Sequence, residues 1–203
     1  MNDTKAQILQ TALKMFLKKS YRDVSLTDIV NEMDLTKGAF YHYYKGKHQI
    51  FAEVVKYLYS DVLTIDYTDF PQTSLSDFYH AYLDRLQNSH NKISNSVYEE
   101  DSNVFLLISE ASRMFSDFTI IHLEQRKKET SAWSEIIEIA IKNKEFKSTV
   151  AADDIAVMFL NLRDGVTMNS IFSKKSEIKS LLDLKRDWDN LYNLLIGKSK
   201  WFS

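Results

Sequence analysis

The sequence predicts an all-α protein of about nine helices. Glycine and proline together supply five of 203 residues, against a combined usage of about 12% in ordinary domains, and turn-rich β sandwiches and barrels need far more of them. Apolar residues recur at i, i+3, i+4 and i+7 along nearly the whole chain, and serine or threonine precedes several of these runs, where helix N-caps belong. An apolar fraction of 44% and a charged fraction of 27% suit a globular chain able to bury a core.

Each element has its own signal. Leu9, Ala12, Leu13 and Phe16 form the first stripe, with Thr4 as its expected cap, over residues 4–19. Ser25 and Asp28 resemble a capping box, with Asp in place of the usual Glu, ahead of Ile29, Val30 and Met33. Thr36 caps a short segment that runs to about Tyr43, and a longer helix then carries Ile50, Phe51, Val54, Val55 and Leu58. Asp69-Phe70-Pro71-Gln72 is the first clear break, and Ser74 with Asp77 opens the next helix. Five further helices are expected over about 74–91, 102–115, 117–143, 151–172 and 177–196. Asn143-Lys144-Glu145 and Ser173-Lys174-Lys175 read as connections, and the polar stretch 88–103 as a loop.

Composition removes several function classes. Glycines stand only at 38, 46, 165 and 197, so neither G-x-G-x-x-G nor a P-loop fits. There are no cysteines, hence no disulfides, thiolate nucleophiles or cysteine-based metal sites. Histidines at 42, 48, 80, 90 and 122 lack metal-ligand spacing, and the acidic run Glu99-Glu100-Asp101 reads as solvated loop. No catalytic motif occurs, so no enzyme activity, cofactor or metal is expected. The N-terminal residues read as amphipathic helix rather than secretory leader, and no apolar run approaches the ~18 residues of a membrane span. Net charge is −2, but residues 1–60 carry nine Lys/Arg against six Asp/Glu, a basic head on a body of net −5. That asymmetry hints at polyanion binding at one end.

Residues 25–51, SLTDIVNEMDLTKGAFYHYYKGKHQIF, combine a two-turn helix, a tight connection at Asp34-Leu35 and a second short helix. This is helix-turn-helix spacing, in which the second helix enters the DNA major groove. Thr36 and the second helix's N-terminus offer groups for phosphate, Lys37 adds charge, and Gly38, with the adjoining Ala39, allows close backbone approach. Tyr41, His42 and Tyr43 supply hydroxyl and imidazole groups for phosphates or base edges, with Lys45 and Lys47 beyond. Ser25 and Thr27 offer contacts from the preceding helix. Leu35, Ala39, Phe40 and Tyr44 fall on the face that holds the helix to its scaffold.

Asp28-Ile29-Val30, then Leu35-Thr36-Lys37-Gly38-Ala39-Phe40-Tyr41-His42-Tyr43-Tyr44-Lys45-Gly46-Lys47 and Ile50-Phe51, resemble the signature of the TetR family of bacterial transcriptional regulators. The specific likeness covers about residues 5–55. Four positions depart from the usual pattern: Asp34 replaces a turn glycine, Gly46 a frequent serine cap, His48 a frequent glutamate, and Val30 a common alanine. The resemblance implies a helix-turn-helix DNA-binding domain over 1–47 and a helical ligand-binding and dimerisation domain over 48–203. It further implies a cytoplasmic, dimeric repressor that binds a pseudopalindromic double-stranded operator and leaves it when a small molecule enters the body.

In that body, Phe78, Tyr82, Phe105, Phe115, Phe118 and Trp133 are the candidate lining for an apolar or aromatic effector, although a plain core also accounts for them. His122 and Arg126, one turn apart, are candidates for its polar end. Two late stripes, Phe159, Leu162 and Val166 with Leu184, Trp188, Leu191 and Leu195, are the candidate homodimer interface, or else face their own core. A body that binds a partner protein, an activator rather than a repressor, and a helical enzyme or scaffold stand as alternatives.

Overall fold

A computed structural model describes residues 3–94, 104–173 and 177–198; the side chains of 3, 61–63, 89–94, 105, 171, 177 and 178 lie outside that description. The described residues form only helices: α1 (Asp3–Lys18), α2 (Leu26–Glu32), α3 (Lys37–Tyr43), α4 (Lys47–Tyr57), α5 (Leu75–Ser94), α6 (Val104–Met114), α7 (Ser116–Lys142), α8 (Ala152–Ser173) and α9 (Glu177–Leu195). α4 continues into a π-helical segment, Leu58–Leu63. Most bounds fall within two residues of the periodicity. The polar stretch 88–103 is the main correction: it is helical through Ser94, because α5 extends three residues past its last expected turn. Glu99-Glu100-Asp101, Lys174 and Lys175 lie outside the described residues. None of the described helices is long and apolar enough to cross a membrane.

The chain packs as two compact units that do not follow its linear order. One comprises Met1–Thr64 with Asn91–His122, the other Ile65–His90 with Leu123–Ser203. In the first, α1 packs on α2 and α4, and α6 packs on α1 and α4. Its core joins Leu13, Phe16, Ile29, Phe40, Phe51 and Val54 to Leu107 and Ala111 of α6. A division at residue 47 thus separates by sequence what α6 rejoins in space.

The second unit is built on large rings. Trp133 and Trp188 are fully buried, with ring centroids 4.9 Å apart, and Phe78, Tyr82 and Phe159 surround them. α5 begins as expected at Ser74, whose hydroxyl accepts the Asp77 N–H at 3.0 Å. Glu145, from the α7–α8 connection, accepts the Leu75 and Ser76 N–H groups at 2.9 and 3.2 Å. Three of the four amide donors that a helix start leaves open are thereby satisfied. Lys144 (φ +62°) closes α7: its N–H reaches Ile141 and the Glu145 N–H reaches Ala140, the crossed pair of bonds that ends a helix at a left-handed residue.

α8 packs on α9, and the Trp188 indole N–H donates to the Phe159 carbonyl at 2.8 Å. Three of the seven candidate dimer residues thereby take the other role expected for these stripes, facing their own core. Phe159 and Trp188 are 0% exposed and Leu184 4%, so a second protomer has nothing of theirs to cover. Leu162, Val166, Leu191 and Leu195 are half-buried against the same core. The large apolar groups left outside are a different set: Val157 (39% exposed), Met158 (46%), Met168 (37%) and Phe172 (79%) on α8, with Leu182 (62%) and Leu194 (53%) on α9.

Candidate nucleic-acid interface

The geometry of α2 and α3 follows from a few local bonds. Ser25 Oγ accepts the Asp28 N–H at 3.1 Å while the Asp28 carboxylate accepts the Ser25 N–H at 2.7 Å, completing the capping box. These bonds hold the Asp28 carboxyl below its ordinary value. α2 ends at Asp34, which adopts φ +51°; its N–H bonds to Asn31 and the Leu35 N–H to Val30. Asp tolerates this left-handed conformation better than most residues, so the turn forms without the usual glycine. Thr36 then caps α3, its hydroxyl accepting the Ala39 N–H at 3.1 Å.

α3 has two faces. Phe40 and Tyr44 are buried, and the Tyr44 hydroxyl donates to the Lys5 carbonyl of α1 at 3.3 Å. Burial and the nearby Glu53 charge push that hydroxyl's pKa up to about 12. The other face presents Lys37, Gly38, Tyr41 and His42 to solvent, with Thr36 and Lys45 at its ends. Tyr41, edge-on to the Phe40 ring at 6.0 Å, is nonetheless 54% exposed, high for an aromatic side chain. A Cβ built on Gly38 would meet only Thr36 Oγ1, at 3.9 Å, so nothing inside the protein requires glycine there. Ser25 and Thr27 are exposed at the start of α2; Ala39 and Tyr43 are half-buried, and the Tyr43 ring lies edge-on to His42 at 4.9 Å.

Lys47 is half-buried and holds internal partners that the sequence did not announce. Two of its three ammonium N–H groups are turned inward, to the carbonyls of Tyr21 at 2.7 Å and Val24 at 2.8 Å, and Nζ lies 4.1 Å from the Tyr21 ring centroid. Its first duty is to hold the α1–α2 connection. Gly46, as expected, gives α4 no side-chain cap; its φ of +157° with ψ −177° is backbone that glycine alone adopts readily. Gln49 reaches back instead to the Lys45 N–H at 2.6 Å.

The candidate effector residues are divided between the two compact units. Phe115, Phe118 and His122 belong to the first compact unit, where Phe118 packs edge-on against Tyr59 (4.7 Å) and His122 Nδ1 bonds the Tyr59 hydroxyl at 2.5 Å. Phe78, Tyr82 and Trp133 belong to the second and are its core. The Phe105 ring lies outside the described residues. Arg126 is already paired, with Asp164 at 3.0 Å, Glu129 at 3.5 Å and Asn161 at 3.0 Å.

Sequence reading missed the cluster beside those rings. Glu129 of α7 and Arg163 of α8 form a largely buried bidentate pair, and the Tyr67 and Tyr82 hydroxyls donate to the same Glu129 oxygen at 3.1 and 2.9 Å. Burial alone would raise the Glu129 pKa; the Arg163 charge and the donated hydrogen bonds outweigh it and hold the carboxyl below its ordinary value. One further atom stands out. The Trp133 indole N–H, wholly buried, has no acceptor among the described residues.

Two family models match this chain. One, described as bacterial regulatory proteins, tetR family, matches residues 8–54; the other, described as tetracyclin repressor-like, C-terminal domain, matches residues 79–179. The uncharacterized HTH-type regulator YuxN of Bacillus subtilis is 34% identical over 64 residues, 32% of this chain and 22% of that protein, so the likeness spans about a fifth of its length. The HTH-type transcriptional repressor KstR2 of Mycobacterium tuberculosis is 21% identical over 165 residues, 81% of this chain and 78% of that protein. The fold is similar to the reduced form of Escherichia coli NemR (TM-score 0.65, 18% identity, 94% of this chain and 98% of that one). It is similar also to a transcriptional regulator of Saccharomonospora viridis in complex with choline (TM-score 0.64, 15% identity, 93% and 97%). With a capped helix-turn-helix at its N-terminus and a helical body behind it, the chain belongs to the TetR family of helix-turn-helix transcriptional regulators.

Proposed function

We propose that this regulator is a ligand-responsive repressor that binds a pseudopalindromic operator as a dimer, with α3 in the major groove. The observation that carries the reading is the split character of α3: Phe40 and Tyr44 fasten it from behind, while Lys37, Gly38, Tyr41 and His42 stand outward, exposed to solvent. In this reading Lys37, Thr36, Ser25, Thr27 and Lys45 meet phosphate, and Tyr41, His42 and Tyr43 meet base edges or phosphate. The name of the KstR2 relative supports repression.

A second copy is the natural cover for α8. Met158, Asn161, Gly165, Met168 and Phe172 are all exposed and spaced i, i+3, i+7, i+10, i+14, the seam that a partner helix packs against. Leu182 and Leu194 of α9 extend it, giving an isologous four-helix contact in place of the buried stripe read from sequence. For the effector, the cluster of Phe78, Tyr82 and Trp133 beside Glu129 and Arg163 supports a mainly aromatic guest, with the open Trp133 N–H as donor to it. The choline bound to the Saccharomonospora viridis protein supports a small molecule as the class of effector.

Selection of bound duplexes from a random pool tests the function. The protein should enrich a pseudopalindrome, and His42→Ala or Tyr41→Ala should cost about 1–3 kcal/mol on that duplex and much less on random DNA. Enrichment of no sequence, or equal binding by both variants and wild type, would sink the assignment.

A further inference from the structure

One side chain of α6 reaches into the reading head. Glu110 Oε2 accepts the backbone N–H of Tyr21 at 2.7 Å, across 89 residues of sequence. The carbonyl of the same residue accepts Lys47 Nζ at 2.7 Å, and the second Lys47 bond, to Val24 at 2.8 Å, lands one residue before the Ser25 cap of α2. The Tyr21 ring is itself packed, 4.7 Å from the Phe51 ring of α4 and 6.0 Å from Phe16 of α1. The connection that launches α2 is therefore gripped by two charges from opposite sides of one residue, an anion from α6 on its N–H and a cation from α4 on its C=O. Carboxylate-to-amide and ammonium-to-carbonyl bonds are the stronger kind of hydrogen bond, and both are part-buried.

We infer that Glu110 is a positioning residue for DNA recognition: through the Tyr21 amide it fixes where α2, and α3 behind it, stand relative to α6. The inference rests on α3 being the reading helix. Its consequence is regulatory. α6 lies within the stretch matched by the C-terminal family model, so a shift of α6 pulls on the start of α2 through this bond as well as through its core packing on α1 and α4. Glu110 is a poor DNA contact in its own right, since its charge repels phosphate. Loss of the bond and loss of the charge are thus separable.

The test compares wild type, Glu110→Ala and Glu110→Gln as full-length protein. The probes are the duplex enriched by wild type and a random duplex of equal length. Amide exchange at Tyr21 reads the bond itself, and circular dichroism checks the fold. In Glu110→Ala, Tyr21 exchange should quicken and affinity for the enriched duplex should fall about 10-fold, the equivalent of one charged hydrogen bond at ~1.4 kcal/mol. The salt slope and the affinity for random DNA should not fall, because no phosphate contact is removed. Glu110→Gln keeps an acceptor oxygen without the charge, so it retains a weaker bond and should fall between wild type and Glu110→Ala in both exchange and affinity. Fast exchange in Glu110→Ala with undiminished affinity makes the bond structural only and overturns the inference, as does exchange that does not change. Equal loss in the Gln and Ala variants assigns the effect to charge and also overturns it. A wild-type protein that enriches no duplex fails differently, by removing the function on which the inference rests.

Discussion

Phe172→Asp separates the fold of one protomer from the assembly of two. The ring is 79% exposed on α8, so the protomer gains little from it, and an exposed substitution of this kind costs a fold no more than about 0.5 kcal/mol. Covered by a symmetry mate, a phenylalanine is worth about 1.5–3 kcal/mol, and a two-fold axis removes two of them at once. The loss is then about 3–6 kcal/mol before the stranded carboxylates are counted, which raises the dimer dissociation constant about 10²–10⁴-fold at 1.4 kcal/mol per decade. Sedimentation across a dilution series reads that constant, and thermal unfolding at fixed concentration reads the fold. Phe159→Ala, a residue with 0% exposure, serves as the opposite case: it should cost about 3–5 kcal/mol of stability through a core cavity. If folded Phe172→Asp sediments as an unaltered dimer, the exposed seam of α8 is not where protomers meet.

Gly38→Ala should act with opposite signs on two measurements: the built Cβ has room, so α3 gains up to about 0.5–1 kcal/mol of helix stability, while affinity for the enriched duplex falls because the methyl meets DNA. Equal or better DNA binding by the variant would show that the backbone there does not approach the duplex. Glu129→Ala leaves Arg163 buried without its partner and should cost about 3–5 kcal/mol, whereas Glu129→Met with Arg163→Met should recover most of it; a double variant as weak as the single one refutes the pairing. Because the Glu129 carboxyl sits below its ordinary value of 4.5 when folded, its contribution is complete above that pH and disappears as pH falls further. Wild type and Glu129→Gln should therefore differ in stability at pH 7 and converge in acid, read by denaturant unfolding at each pH. Asp34→Val should lose about 1–2 kcal/mol and Asp34→Gly nothing, since only the branched side chain resists φ +51°.

Sequence alone determined what lies within one turn of itself. The Ser25–Asp28 box, the Thr36 and Ser74 caps and the left-handed Asp34 are exchanges between residues at most five apart, and the residue types at those spacings permit few other outcomes. Period 3.6 then put Phe40 and Tyr44 behind α3 and Tyr41 and His42 in front, so the exposed face proposed to meet DNA was readable in the sequence. Partner choice across the chain was decided by tertiary structure. The apolar residues of α8 are not confined to one face, so periodicity could not say whether Phe159 or, one position away, Met158 faces the core; packing against Trp188 chose Phe159. Lys47 looked like a free cation until the Tyr21 and Val24 carbonyls came within reach of it. Glu129 with Arg163, and Glu110 with Tyr21, pair across 34 and 89 residues, and nothing local marks either. Charges of both signs are plentiful in this chain, and which of them meet depends on where the helices stack.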